Sequence, residues 1–233
     1  MAYSPITKST DYFNTKLYTG NSSTQSITGV GFQPDWVSIK DRDATNSFMT
    51  FDAVRGATQL LNWNTTNTES TQTPTLTSFN SDGFSIGNNT ALNTNGNDLV
   101  AWNWKANGAG SANTAGSINS TVSVSTTSGF SIVSYSGTGS LATVGHGLGV
   151  KPKMIIVRKR NSAENWLVYN EKLTASNYLL FNSTGASGAD NMWNSTEPTS
   201  SVFTVNAVDG ANGSGGTYIA YCFNDVQGYS KFG

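Results

Sequence analysis

Few side chains in this sequence could perform hydrolysis, so each can be weighed separately. A glycosidase needs two positioned carboxylates, and a nucleophilic hydrolase needs a nucleophile beside its base. The two halves of the chain resemble each other in sequence and can be aligned. In this alignment, acids of the N-terminal half correspond to lysine or asparagine in the C-terminal half: Asp35 to Lys153, Asp41 to Lys159, Asp43 to Asn161, and Asp52 to Asn170. Because a carboxylate site could exist in one half only, we predict a protein that is not an enzyme and has no catalytic residues.

The single histidine, His146, lies in the glycine-rich segment Gly145–Gly149. Such a setting could indicate a catalytic base or a phosphate-binding loop. The matched residue of the N-terminal half is Thr28, and the glycines are typical of a turn before a strand that follows Pro152. The sequence therefore favours a structural turn over a cofactor site.

The polar segment Asn93–Asp98 resembles a calcium-binding loop. It lacks the bidentate acid that such loops carry several residues later. We interpret it as a hairpin turn and predict no metal site.

A basic cluster lies in the C-terminal half, at Lys151, Lys153, Arg158, Lys159 and Arg160. It could form a patch for a phosphate-rich surface or for the more acidic N-terminal half, whereas a solvated strand edge is the commoner explanation. We keep Lys151, Lys153, Arg158 and Arg160 as candidate contact residues.

Aromatic residues are the usual platforms for sugars and for protein interfaces. Aromatic residues that recur at matched positions are predicted to form two cores. In the last strand of each half, the face with the large side chains is predicted to point into the core, where Trp102 corresponds to Tyr221 and Trp104 to Phe223. Those without an aromatic counterpart are predicted contact residues, Trp193 first, then Trp36 and Phe32.

The composition limits the function classes. Charged residues make up 12% of the chain, about half the usual share, and the formal net charge of −1 offers no overall attraction for nucleic acid. Cys222 is the only cysteine, so the chain cannot form an internal disulfide. No apolar run is long enough for a membrane span, and the start lacks a basic and apolar leader, so we expect cytoplasmic synthesis without membrane insertion.

The strongest pattern is an internal repeat. The segment Gly29–Lys40 resembles Gly147–Arg158, and matching Pro34 with Pro152 gives an offset of 118 (152 − 34). Near the end of each half, Gly96–Trp104 matches Gly215–Phe223 at an offset of 119 (215 − 96), since Gly96 aligns with Gly215. Self-similarity at one spacing is typical of duplicated domains.

The repeat and the two-residue alternation of apolar side chains predict an all-β fold of two tandem β-sandwich domains, jelly-roll-like in architecture. The first repeat covers 1–107, a flexible Gly/Ala/Asn linker covers 108–117, and the second repeat covers 118–233. Strands are predicted at Gly83–Ile86, Gly129–Tyr135 and Ser201–Val205. No segment keeps a helical period for long, so little helix is expected.

The C-terminal segment Val226–Gly233 extends past the last matched strand and carries Tyr229 and Phe232. Two aromatic residues in a tail need burial to stay ordered. We predict a docking element that contacts another subunit or the adjacent domain.

With these residues in view, the chain resembles a family of structural proteins carried by marine bacteriophages. The segments that carry the resemblance are Leu17–Asn21, Gly31–Val37, Phe51–Ala57, Val144–Val157 and Gly228–Gly233. The resemblance implies a virion protein, described in such phages as a tail fibre, an appendage or another structural component. It supplies no catalytic residues.

Two functions remain open. The first is a virion structural protein for assembly, decoration or an appendage, located in the virion after synthesis in the host cytoplasm. Its partners would be capsid, neck or tail proteins and further copies of itself, a trimer being one such state. The alternative is a carbohydrate-binding adhesin that recognises host surface glycans through exposed aromatic residues.

Overall fold

The computed structural model describes residues 4–232 and divides into two compact units. The N-terminal unit comprises Lys8–Thr65 and Glu69–Ala109. The C-terminal unit comprises the chain up to Thr7, the short segment Thr66–Thr68, and the chain from Gly110 onward. Each unit therefore has a core of its own.

The prediction of an all-β protein is confirmed, because strands make up 40% of the structure and helices only 5%. Helix is limited to the 3-10 turn Ser9–Asp11 and the single turns α1 (Thr90–Asn93) and α2 (Asp209–Asn212) among the described residues. The strands pair in several antiparallel sheets, an arrangement consistent with β-sandwiches.

The N-terminal unit has two sheets. One has the order β1-β9-β3-β4-β5-β6 and the other the order β2-β8-β7. The strands are β1 (Phe13–Thr19), β2 (Gln25–Thr28), β3 (Trp36–Asp41), β4 (Met49–Asp52), β5 (Gln59–Asn62), β6 (Ser70–Thr71), β7 (Leu76–Asn80), β8 (Gly83–Ile86) and β9 (Asp98–Trp104).

The C-terminal unit also has two sheets, one in the order β10-β11-β12-β18-β14-β15-β16 and one that pairs β13 with β17. The strands are β10 (Ser111–Asn113), β11 (Ser120–Ser125), β12 (Phe130–Ser136), β13 (Ala142–Gly145), β14 (Met154–Lys159), β15 (Leu167–Asn170), β16 (Leu179–Leu180), β17 (Val202–Val205) and β18 (Thr217–Phe223). The predicted strand Gly83–Ile86 is β8, and the other two predicted segments contain β12 up to Tyr135 and β17.

The predicted linker is partly a strand. Residues 111–113 form β10, which pairs antiparallel with β11 from Ser111↔Val122 to Asn113↔Ser120. Gly110 lies close to the backbone of Val122, where a side chain at residue 110 would clash, so the chain packs closely here. The small residues that predicted flexibility instead allow this close approach.

The predicted core face of the last strand of each half is wrong. Leu99 and Ala101 of β9 lie in the N-terminal core, whereas Trp102 and Trp104 point to the opposite face and are only half-buried. In β18 the side chains that lie in the C-terminal core are Tyr218, Ala220 and Cys222. Both strands are apolar on both faces, so alternation by size could not identify the inner one.

Tyr221 and Phe223, on the other face of β18, are nevertheless buried. Tyr221 stacks on Trp166 with ring centroids 6.4 Å apart, and Phe223 packs against Phe130 at 5.1 Å. A second aromatic layer therefore covers the outer face of this sheet.

The outer face of the N-terminal sheet carries a similar layer. Trp36 packs against both Trp63 and Trp104, with ring centroids 4.9 and 4.3 Å away, and Phe13 packs on Trp104 at 4.9 Å. The indole Nε1 of Trp36 donates a hydrogen bond to Thr50 Oγ1 at 2.7 Å. Trp36 is thus fixed as a buried residue of this layer.

Candidate interaction surfaces

The basic cluster does not form an open cationic patch. Lys151 pairs with Glu197 at 3.0 Å, and Lys153 pairs with Glu171 at 2.6 Å, which raises the pKa of Lys153. Lys159 pairs with Asp209 at 2.7 Å. An open basic patch for a phosphate-rich surface, which the sequence left as one possibility, is therefore not formed by these lysines, because acids distant in the sequence pair with them.

Arg158 and Arg160 are also not free surface cations. Arg158 is fully buried, and its guanidinium donates to the carbonyls of Glu164, Thr66 and Asn67, the last two at 2.8 and 2.6 Å within the C-terminal unit. Burial lowers its pKa to about 10. Arg160 is half-buried with its Nη1 3.5 Å from Ser134 Oγ. The proposed contact role of Arg158 is thus wrong, because the residue is fully buried and its Nη1 and Nη2 donate to carbonyls inside the fold.

The three aromatic contact candidates are buried. Trp193 is 2% exposed and lies in the C-terminal core, edge to face with Tyr169 at 6.2 Å. Trp36 and Phe32 are buried as well. The lack of an aromatic counterpart in the other half therefore did not mark surface residues: Trp193 lies in the C-terminal core, and Trp36 lies in the outer aromatic layer of the N-terminal sheet.

The C-terminal tail folds back on its own unit. The Phe232 ring packs on Phe223 at 5.0 Å, and the Phe232 N–H donates to Asp225 Oδ1 at 2.7 Å. Val226 N–H donates to Ser230 O at 3.1 Å, and Tyr229 N–H donates to Val226 O at 2.9 Å. Tyr229 and Phe232 are half-buried, so they keep some surface for contact, but the tail is already ordered within the unit.

His146 is buried and both of its ring nitrogens have partners. Its Nδ1 accepts the N–H of Leu148 at 3.2 Å, which leaves Nε2 to donate to the Thr199 carbonyl at 3.3 Å. Burial lowers the pKa of His146 to about 4, against a weaker opposing effect of the Thr199 bond. The neutral ring therefore holds a turn, as the sequence interpretation favoured.

Asp52 and Arg55 form a buried ion pair in the N-terminal unit. The Arg55 Nε lies 2.5 Å from Asp52 Oδ2, and its Nη1 lies 3.0 Å from Glu69. The same guanidinium also donates to the carbonyls of Thr50 and Gln59. The Asp52 carboxylate therefore stabilises the turn after β4.

The remaining conspicuous acids also tie loops. Asp41 accepts hydrogen bonds from the N–H of Asp43 at 2.9 Å and from the amides of Asn46 and Asn97 at 3.1 and 2.9 Å. Burial alone would raise the pKa of Asp41, yet these donors together hold it below its ordinary value. Asp35 accepts the N–H of Ala106 at 2.6 Å, and burial raises its pKa.

Asn93, the first residue of the loop that resembles a calcium site, is buried and holds a turn. Its side-chain amide donates to the carbonyls of Ser23 and Gly87, the latter at 2.7 Å, and its Oδ1 accepts the N–H of Asn21 at 2.9 Å. Asn212 makes equivalent contacts in the C-terminal unit, where it donates to Ser140 O at 2.5 Å. A turn therefore explains this segment without a cation.

A tyrosine and a glycine complete this tie in each unit. Tyr18 donates to Leu92 O at 2.8 Å, and Tyr135 donates to Ala211 O at 2.7 Å. Gly20 lies so close to the carbonyl of Thr94 that a Cβ would be 2.1 Å from its oxygen; the corresponding distance from Gly137 to Gly213 O is 2.3 Å. We call this arrangement of tyrosine, glycine and asparagine the YGN tie. The sequence carries Tyr18-Thr-Gly20 and Tyr135-Ser-Gly137 in the two halves, but nothing local in it indicates what these residues bind.

The edge of β1 is an open surface of the N-terminal unit. This strand ends its sheet, pairs only with β9, and keeps one register from Phe13↔Trp104 to Thr19↔Asp98. Leu17 is 60% exposed, the highest value among the exposed large hydrophobic residues that the structure describes, and Thr15 and Thr19 are exposed beside it. No feature of composition pointed to this edge in advance.

Comparison with known proteins gives one family. A family model described as Domain of unknown function (DUF7483) matches residues 8–233, a range that includes the whole N-terminal unit and all of the C-terminal unit except the segment up to Thr7. No curated protein matches the chain. No solved structure matches it either.

The described residues contain neither a metal-binding cluster nor a membrane-spanning helix. No group of three or more His, Cys, Asp or Glu side chains there could hold a metal ion. No helix in residues 4–232 is both long and apolar enough to cross a membrane.

Proposed function

We propose, for a chain that belongs to the family described as Domain of unknown function (DUF7483), that it is a structural protein of a bacteriophage particle. Its work is assembly, decoration or the building of an appendage, and it acts without catalysis. The proposal starts from the resemblance of its sequence segments to phage structural proteins.

The strongest support for the proposal is that its reactive side chains bind other groups of the same fold. His146 holds a turn with both ring nitrogens, Asp52 is locked against Arg55, and Asp41 accepts three hydrogen bonds. A general acid or base needs a proton that can reach a substrate. Groups used in this way support a rigid scaffold better than an active site.

We further propose that the two units are diverged copies of one sandwich domain with a jelly-roll-like architecture. The neighbours β1-β9-β3-β4-β5 in one sheet match β12-β18-β14-β15-β16 in the other, strand for strand along the chain. The YGN tie is present in both units with the same partners. Duplication would give an assembly protein two similar bodies within one chain.

The partners that this function requires are other virion proteins of the capsid, neck or tail, together with further copies of the chain. The chain would be made in the host cytoplasm and then incorporated into the virion. Low charge supports such a role, since interface cores are depleted in charged residues, and only 12% of this chain is charged.

Glycan binding is the second candidate, and one observation favours it. Trp102 and Phe48 stack with ring centroids 6.1 Å apart and are both only half-buried, with the Lys40 ammonium 5.8 Å above the Phe48 ring. Partly exposed rings that stack in this way are suitable platforms for a sugar. The platforms first predicted, Trp193 and Trp36, are buried and no longer support this alternative.

The deciding experiment is immunogold labelling of intact particles with an antibody raised against the full chain, together with mass spectrometry of particles purified through a density gradient. The proposal predicts regular labelling at one position of every particle. A protein abundant in the lysate yet absent from purified particles would refute it.

A glycan array with the same full chain tests the second candidate. Specific binding that Trp102→Ala abolishes and Trp193→Phe leaves intact would promote the adhesin. Absence of binding, together with particle labelling, supports the structural function alone.

A further inference from the structure

The edge of β1 has a counterpart in the C-terminal unit that is covered. There β12 lies beside β18, as β1 lies beside β9, but β11 pairs with the other side of β12 from Ser120↔Tyr135 to Ser125↔Phe130. In the N-terminal sheet β1 is the terminal strand. Among the described residues, an antiparallel strand therefore covers this position in the C-terminal sheet, where β11 pairs with β12, and none covers it in the N-terminal sheet.

The backbone hydrogen bonds at the two ends of the β1–β9 pair show which backbone groups the open edge presents. Lys105 N–H donates to Tyr12 O at 2.9 Å and Gly20 N–H donates to Asn97 O at 2.9 Å, so the even-numbered residues face β9. Alternate residues of a strand point their backbone groups to opposite sides. The N–H and C=O groups of Phe13, Thr15, Leu17 and Thr19 are therefore directed away from β9. The Thr19 carbonyl accepts a hydrogen bond from Gln25 Nε2 at 3.3 Å, so a pairing strand would displace this side chain.

The usual protections of an edge are weak here. Natural edges are blunted by short strands, proline, bulges or outward charges. β1 spans seven residues without proline, its register with β9 has no bulge, and its one charged residue, Lys16, carries its ammonium beside Gly29. A strand with these properties is suited to pairing.

We propose that β1 pairs antiparallel with β1 of a second copy of this chain, about a two-fold axis that passes beside Leu17. The inference does not rest on the virion function, because it concerns only what the purified chain does with itself.

The sequence of β1 is compatible with pairing to itself and favours one register. With Leu17 opposite Leu17 of the partner, Thr15 meets the partner's Thr19, and the outward backbone groups of these residues bond to each other. Lys16 then meets the partner's Tyr18, whereas a register centred on Lys16 would bring two ammonium groups together. The pairing also removes the exposed Leu17 side chains from water.

The strand in the corresponding place of the other unit supports the fit. β11 reads Ser-Thr-Val-Ser-Val-Ser, and its partner β12 is largely buried, whereas Thr15, Leu17 and Thr19 of β1 remain exposed. A strand of small and β-branched residues is thus what this position holds elsewhere in the chain. β1 shares this character only at Thr15 and Thr19, on either side of the larger Leu17.

The experiment measures the mass of the full chain in solution by sedimentation equilibrium and native mass spectrometry over a range of concentrations. The unchanged chain is expected to form dimers. Leu17→Glu and Leu17→Lys are each expected to be monomeric, because like charges would face each other across the axis. An equimolar mixture of the two variants is expected to restore a dimer with one copy of each.

A second pair of variants tests the backbone bonds. Thr15→Pro removes an outward N–H without touching the bonds to β9 and should raise the dimer dissociation constant about tenfold or more. Thr15→Ala keeps that N–H and is the matched control, with an expected change below about threefold.

Cross-linking fixes the register. Leu17→Cys should form a symmetric disulfide dimer on mild oxidation, since the paired Cα atoms would lie about 5.5 Å apart, whereas Asn64→Cys, at an exposed position away from the edge, should not. A monomeric chain at all concentrations, or dimers that persist in Leu17→Glu and Thr15→Pro, would overturn the proposal. Capture of a different particle protein by this edge without self-association would overturn it too.

Discussion

His146 contributes to the fold only as a neutral ring. Its Nε2 donates to the Thr199 carbonyl and its Nδ1 accepts the Leu148 N–H, an arrangement that a second ring proton would break. Its burial removes the water that could otherwise solvate a charge. One histidine therefore links folding of the C-terminal unit to pH.

The pH dependence has a defined sign. The pKa of His146 in the folded chain is about 4, below the ordinary value of 6.5, so the unfolded chain binds the proton first as pH falls. Stability from this group is full above about pH 6.5 and is lost as pH falls toward about 4, by up to about 3 kcal/mol. Urea unfolding at pH 7 and pH 4.5 measures it. The variant His146→Gln should show a smaller difference between the two pH values, and an equal difference would contradict the assignment.

Cys222 is predicted to be unreactive in the folded chain. It is completely buried in the C-terminal core, and burial raises the pKa of its thiol to about 12, so almost no thiolate exists at neutral pH. Native protein should react with a thiol-specific dye only as fast as it unfolds, whereas protein in urea should react at once. Rapid labelling in native buffer would show that the core opens without global unfolding.

At the scale of elements, the turn after β4 depends on one buried guanidinium. Arg55 binds Asp52, Glu69 and two carbonyls, so its removal leaves carboxylate and carbonyl groups unsatisfied. Arg55→Met should lower the free energy of unfolding by about 3–5 kcal/mol. Lys8→Met, which removes an exposed pair with Asp11, is the control and should cost less than about 1 kcal/mol. Similar losses in urea unfolding for both variants would contradict the prediction.

The YGN tie gives a second prediction for elements. Gly20→Ala and Gly137→Ala would each push a Cβ into a backbone carbonyl, at 2.1 and 2.3 Å, so the strand and the turn that follows the helix must separate. We expect each to cost about 2–4 kcal/mol of stability. Gly185→Ala, whose Cβ would lie 3.4 Å from the nearest atom, should change stability by less than about 0.5 kcal/mol. Calorimetry of the three variants measures the difference.

How much of these elements could be predicted depends on what alternation reveals. Strands such as β8, β12 and β17 follow from apolar alternation between glycine turns, and that reasoning held. Alternation could not choose the inner face of β9, because Trp102 and Trp104 were larger than Leu99 and Ala101 and lay on the other side. It also could not foresee that small residues 111–113 would pair as β10.

The candidate contact residues were predicted less well, for a physical reason. Whether a tryptophan or an arginine is exposed depends on partners that are distant in the sequence. Trp193 packs on Tyr169, and Arg158 binds the carbonyls of Thr66 and Asn67. None of these pairs has a local signature, so counting matched and unmatched residues could not find them.

For the whole molecule, the boundary between the units does not follow the chain. The C-terminal unit includes Thr66–Thr68, whose residues accept hydrogen bonds from Arg158, so a fragment of 110–233 lacks two of these acceptors. Arg158→Met should cost about 2–4 kcal/mol in the full chain and less than half of that in the fragment. Urea unfolding of the four proteins completes the cycle, and equal costs in both backgrounds would contradict the contribution of this segment.

The lengths of the terminal strands determine what such a molecule can assemble into. Among the described residues, β1 has seven residues at the end of its sheet, whereas the other terminal strands of the two large sheets, β6, β10 and β16, have two or three. Among the large sheets, β1 is therefore the one long edge that the described residues offer for pairing. Pairing of two copies through β1 about a two-fold axis would occupy this edge in both copies, so this contact alone gives a closed dimer and no filament. Any longer structure would have to be linked through a different kind of surface.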